Sequence, residues 1–168
     1  AEFERVVDTI IGARRIYIVG FRSSSFLAGY LNFYFRLIYD NVTQVQGGAA
    51  GTFDQLFRVG PGDVVIAICF PRYSELALKT VQYAKDRGAT IIGVTDSEMS
   101  PVYQMSSGSL LVRNEMISFV DSLAAPMSML NALILAAAHK QGTDISATFN
   151  ELEHVWDRFG IFGKVEDE

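Results

Sequence analysis

Residues 64–68 read Val64-Val65-Ile66-Ala67-Ile68, apolar at every position. A strand with one wet face alternates apolar and polar residues; a strand with no polar residue has to be covered on both faces, which calls for helices in two layers. Around this run, short β-branched segments at 16–19, 42–45, 64–69, 90–94 and 109–112 alternate with longer helical patterns. That alternation is the signature of β-α-β units and a parallel sheet. The expected fold is therefore α/β: a three-layer α/β/α sandwich on a five-stranded parallel sheet, with the usual strand order 2-1-3-4-5.

The helical segments carry their own signals. Phe3, Val6, Val7 and Ile10 form one stripe within residues 2–11, and because the chain opens on Ala1 inside such a pattern, it is expected to be a piece of a longer protein. After the first strand, Leu27, Tyr30, Leu31, Tyr34, Leu37 and Ile38 fall at core spacing, while Phe26 and Phe33 make a second apolar stripe. A helix apolar on two sides points to a partner subunit. A third helix is expected to start with Ser74 as N-cap, run through Ala77, Val81 and Ala84, and stop at Arg87-Gly88. An apolar helix is read over 116–138, and near the C-terminus Thr143 is the expected cap of a helix striped by Ile145, Phe149, Leu152, Trp156 and Phe159. Gly60-Pro61-Gly62-Asp63 is a turn leading into the third strand.

A chain of 168 residues, 49% hydrophobic, buries one good core, so residues 1–168 read as a single domain. Its formal charge of -5 would repel a phosphate backbone and no Lys/Arg run offsets it, so DNA is expected to be contacted only through a separate domain. Residues 122–139 hold no Asp, Glu, Lys or Arg, yet Ser122, Pro126, Ser128 and Asn131 interrupt the run. The expectation is a buried or interface helix and no membrane association. One cysteine, Cys69, cannot make an internal disulfide, and with no export-type opening a cytoplasmic setting is expected.

In a sheet of this order, ligands bind beyond the carboxyl ends of the strands where the order reverses, between the first strand and the third. The two loops there read Gly20-Phe21-Arg22-Ser23-Ser24-Ser25 and Phe70-Pro71-Arg72-Tyr73-Ser74. Each joins a strand to a helix N-terminus, which favours an anion, and each carries hydroxyls and one arginine. Hydroxyls serve a phosphate or a sugar, and a guanidinium can grip phosphate with two parallel N–H bonds. The combination fits an anionic, polyhydroxylated ligand.

Residues 15–24, 62–68, the loop 70–74, Arg87-Gly88-Ala89, Val94-Thr95-Asp96-Ser97 and Ser100-Pro101 together resemble a SIS domain, the sugar-isomerase-type, flavodoxin-like fold. The chain is most similar to the C-terminal domain of RpiR-type bacterial regulators. The resemblance implies a sugar-phosphate-sensing domain that forms a homodimer or homotetramer and modulates a helix-turn-helix DNA-binding domain upstream of Ala1. In such domains the two loops generally read Gly-x-Gly-x-Ser and Ser-x-Ser-Gly-x-Thr/Ser, the hydroxyls holding the phosphate. Gly20, Ser24 and Ser74 match; Arg22 and Arg72 stand where Gly is common, and Cys69 and Pro71 where Ser is common. Two hydroxyls are lost and two positive charges gained, so the ligand is expected to remain anionic. The expected binding set is Gly20, Arg22, Ser23, Ser24, Cys69, Arg72, Tyr73, Ser74 and Glu115.

Related SIS enzymes isomerise ketose and aldose phosphates with a positioned base and acid. Here the candidates are Glu115, read as standing at a helix start after the fifth strand, and a histidine, His139 or His154, from a partner subunit. The sensor reading, without catalysis, is preferred. Cys69 reads as a small apolar filler, Asp96 to Glu98 as a solvated acidic loop, and one Cys with two scattered His gives no metal-ligand spacing. No cofactor is expected.

Overall fold

The computed structural model describes residues 1–142 and 145–163. Five parallel strands, β1 (Ile16–Val19), β2 (Val42–Gln44), β3 (Val64–Ile68), β4 (Thr90–Thr95) and β5 (Gly108–Leu111), pair in the order β2-β1-β3-β4-β5. The expected sheet is therefore present, its strand ends within a residue of the sequence reading. Ile16, Tyr17, Ile18 and Val19 register with Val64, Val65, Ile66 and Ala67, which sets β1 and β3 side by side.

The all-apolar β3 divides its side chains between two cores. Val64, Ile66 and Ile68 face a layer built from α1 (Glu2–Ile11), α2 (Ser24–Ile38) and α6 (Ala124–Gln141), through Val6, Val7, Ile10, Leu27, Leu31, Phe35, Leu130 and Leu133. Val65, Ala67 and Cys69 face the other, where Ala77, Val81 and Ala84 of α4 (Glu75–Asp86) and Val102 of α5 (Pro101–Met105) cover them, with α3 (Ala49–Gln55) between β2 and β3 in the chain. Within α2 the buried stripe is Leu27, Ala28, Leu31 and Phe35, with Tyr30, Tyr34 and Ile38 half-buried, so Phe35 is a core residue that the sequence reading did not name. Phe26 (72% exposed) and Phe33 (59%) stay in the open, as the second stripe implied.

Two readings are corrected. The helix read over 116–138 is two elements: Met116–Ile117 (β6) and Val120–Asp121 (β7) form an antiparallel hairpin, and α6 begins only at Ala124. Ser118 turns the hairpin at φ 63°, and Pro126 lies in the first turn of α6, where its missing N–H costs no hydrogen bond. Glu115 accordingly precedes a hairpin and caps no helix. The short α3 and α5 were not anticipated; five to seven residues give too little periodicity to read. The cap expected at Thr143 lies outside the described residues. The helix after it, α7 (Ile145–Phe159), has no fully buried residue, and Ile145, Phe149, Leu152 and Trp156 are half-buried. Among the described residues no helix is long and apolar enough to cross a membrane.

At the amino ends of the strands, Asp63 is fully buried and accepts hydrogen bonds from Arg14 (3.0 and 2.9 Å), Arg15 (3.3 and 3.2 Å) and the Gly60 amide (3.0 Å). Burial alone would raise its pKa; these donors outweigh burial and hold the carboxyl below its usual value.

Candidate functional site

β1 and β3 lie side by side at the reversal of strand order, so the loops following them meet. Between them is a cleft of about 210 Å³ lined by residues 21–24, 68–72, Ser74, Ala77, Met116, Phe119 and Asp121. A broader depression of about 750 Å³ lies at the opposite end of the sheet, lined by Arg14, Arg15, Phe57, Arg58 and Arg87. There Arg14 and Arg15 are paired to Asp63 and Arg87 donates to the carbonyls of Val59 and Phe57, so most of that cationic surface is tied to the fold. Size therefore does not choose the site; position at the strand carboxyl ends does.

Of the nine residues expected to bind, Arg22, Ser23, Ser24, Cys69, Arg72 and Ser74 line the cleft. Gly20 is just behind it, on an adjoining depression of about 230 Å³ bordered by Phe21, Arg22, Ser25 and residues 44–47. Tyr73 turns away: its hydroxyl donates to Asp96 at 2.7 Å, and burial, reinforced by that carboxylate, pushes its pKa up. Asp96 is thus half-buried and bonded, also accepting from Thr95, where a solvated loop was expected. Glu115 is exposed and not part of the lining. Met116, Phe119 and Asp121 were missed because the hairpin that carries them was read as helix.

The loops are built differently at their helix starts. Ser74 caps α4 by accepting from the Ala77 amide at 3.3 Å, which leaves the earlier first-turn amides without helical acceptors. At α2 the amides of Ser24, Ser25 and Phe26 already donate to the carbonyls of Phe21, Arg22 and Ser23, and the Ser23 hydroxyl donates to Asp121 at 2.7 Å. The start of α4, rather than of α2, is the anion-favouring end. Burial pushes the Cys69 thiol up, opposed by the Ser74 backbone N–H, so the thiol is protonated at neutral pH and acts as filler.

Three non-glycine residues have positive φ among the described residues: Arg22 (55°), Arg72 (58°) and Ser118 (63°). The two arginines line the cleft, and Ser118 turns the hairpin that closes one side of it. A left-handed backbone costs a residue with a Cβ on the order of 1 kcal/mol, and such strain collects where function holds it.

A model of the SIS domain matches residues 9–136. The chain belongs to the SIS domain family. This SIS domain superposes on the sugar isomerase domain of the RpiR transcription factor from Sphaerobacter thermophilus with a TM-score of 0.85 at 21% identity, covering 91% of this chain and 86% of that one. It also resembles the Vibrio vulnificus NanR protein, solved complexed with ManNAc-6P (TM-score 0.79, 15% identity, 97% of this chain and 62% of that one). A third similar structure is that of a Methanococcus jannaschii protein for which a molecular function of 3-hexulose-6-phosphate isomerase is inferred (TM-score 0.62, 14% identity, 90% of this chain and 78% of that one). No curated protein matches it in sequence. Regulators and isomerases share this fold, so the likeness carries the architecture and leaves the role to the site.

Proposed function

We propose that this SIS domain is the effector-sensing, self-associating module of a cytoplasmic bacterial transcription regulator, and that its cleft binds a sugar phosphate or a similarly anionic carbohydrate metabolite without turning it over. The observation that carries the reading is the meeting of Arg22 and Arg72, both left-handed, with Ser23, Ser24 and Ser74 around one cleft at the reversal of strand order. Guanidiniums and the α4 start meet negative charge; the hydroxyls and Asp121 meet sugar hydroxyls. The ManNAc-6P complexed with the NanR protein is a ligand of the kind such a cleft would take. Isomerisation needs a base and an acid at the reacting carbons. The one carboxylate lining the cleft among the described residues is Asp121, already bonded to Ser23, and Glu115 is outside it.

Sugar phosphates at a hundredfold excess over Kd should raise the melting temperature by roughly 5–10 °C. Arg72→Ala should remove most of that shift. Ser74→Ala should weaken it as well, but also lowers basal stability by about 1 kcal/mol through the lost cap, so Arg72 is the cleaner probe. No response to any sugar phosphate would end the sensor reading, and turnover of a ketose or aldose phosphate would end its non-catalytic part.

Self-association is proposed through the exposed apolar face of α2 and α6, where Phe26, Phe33 and Leu135 (70% exposed) stand in solvent, with the ligand near the subunit boundary. Sedimentation should show a homodimer or dimer of dimers for the unaltered domain. The double variant Phe26→Glu, Phe33→Glu should sediment as a folded monomer; an unchanged oligomer would place the interface elsewhere. Regulation then needs a ligand that binds two subunit arrangements with different affinity, shifting helix-turn-helix modules attached before Ala1.

A further inference from the structure

We infer that the guest of the cleft carries two separate anionic groups, one at each end of a short polyhydroxylated chain, as in a phosphorylated sugar acid or a sugar bisphosphate. This rests on the reading of the cleft as an effector site and names its ligand class. Neither Arg22 nor Arg72 has an acidic partner among the described residues, which is equally true of Arg36, Arg58, Arg87, Arg113 and Arg158; what sets these two apart is that both line one cleft from a left-handed backbone. In a chain with 19 acidic and 14 basic side chains, two guanidiniums against the single carboxylate of Asp121 leave this small cleft net positive. Both are held in a backbone conformation that a glycine would adopt without strain.

The two arginines share the main cleft, and Arg22 borders further space beside it. Arg72 lines the main cleft, beside Ser74 and the start of α4. Arg22 lines that cleft and also the adjoining depression of about 230 Å³ where β1 and β2 end, against residues 44–47. An anion seated on Arg72 and Ser74 leaves the charge of Arg22, on the loop after β1 and beside the adjoining depression, unmatched. A second acid at the other end of the guest matches it. Between them, Ser23, Ser24 and the Asp121 carboxylate offer hydrogen-bonding groups to a hydroxylated middle.

The test is calorimetric titration of the intact domain, at one ionic strength, with glucose 6-phosphate, 6-phosphogluconate, fructose 1,6-bisphosphate and inorganic phosphate. 6-Phosphogluconate and fructose 1,6-bisphosphate, each with two separate anionic groups, should bind at least about tenfold tighter than glucose 6-phosphate, which has one, the gain of one charge-assisted contact. Arg22→Gln should collapse that ratio to about one, whereas Arg72→Gln should weaken both classes together. Arg22→Gly, which suits the left-handed backbone and so keeps the fold, should behave as Arg22→Gln. If glucose 6-phosphate binds as tightly as the compounds with two anionic groups, or if Arg22→Gln weakens both classes equally, the two guanidiniums grip one phosphate and the inference fails while the effector reading stands. If none of the four binds, both fall.

Discussion

Gly20→Ala should destabilise the domain by roughly 3 kcal/mol, the upper end of what overpacking costs, and should abolish the ligand-dependent rise in melting temperature. The reason is space. A Cβ on Gly20 would stand 2.6 Å from the Ser24 carbonyl oxygen and 3.1 Å from the Ala28 Cβ. The oxygen belongs to backbone in the first turn of α2, so no side-chain rotation relieves the contact; the helix itself has to move. Moving it carries Arg22, Ser23 and Ser24 out of the cleft and loosens Leu27 and Leu31 from the sheet. Urea denaturation measures the first effect, and titration under conditions where the variant is still folded measures the second. An unchanged midpoint would mean that α2 is not seated on the end of β1.

Asp63→Ala should cost about 3 kcal/mol at pH 7, because it strands the Gly60 amide and removes the charge that holds Arg14 and Arg15. The side chains of Arg14 (56% exposed) and Arg15 (34%) can recover some hydration, which keeps the cost to the lower part of the range for a broken buried pair. The pH dependence has a fixed sign. The folded-state pKa of Asp63 lies below its unfolded value, so its contribution is present in full above the usual carboxylate range and is lost as pH falls through the lower, folded value. Denaturation midpoints of wild type and variant should therefore stay apart by a constant amount from pH 8 to about 5 and converge only below about pH 4. Convergence at neutral pH would show that Asp63 is not ionised in the fold.

These two residues stand at opposite ends of the same strands and divide the labour. The amino ends are locked by Asp63 and its arginines, while the carboxyl ends carry Arg22 and Arg72 without acidic partners among the described residues. At the amino ends the guanidiniums of Arg14 and Arg15 are tied down by Asp63; at the cleft those of Arg22 and Arg72 are not tied to a carboxylate among the described residues.

How much was legible in the sequence follows from the range of the interactions involved. The β3 run, the strand alternation and the Ser74 and Gly88 caps are local patterns tied to the backbone by period and turn chemistry, so the sheet order and the boundaries of α4 could be read directly. The switch-point rule then named both loops, and six of the nine expected residues line the cleft. What tertiary structure alone decided is the rest of the lining. Met116, Phe119 and Asp121 reach the cleft because residues 116–121 fold as a hairpin, although their apolar composition reads equally well as helix; with four paired residues there is no period to separate the two. Tyr73 left the cleft because its hydroxyl donates to the half-buried Asp96 on the neighbouring strand's loop, a pairing across 23 positions that no local pattern encodes. Local periodicity and turn residues fixed where the strands end; only packing between distant segments decided which side chains face the space between them.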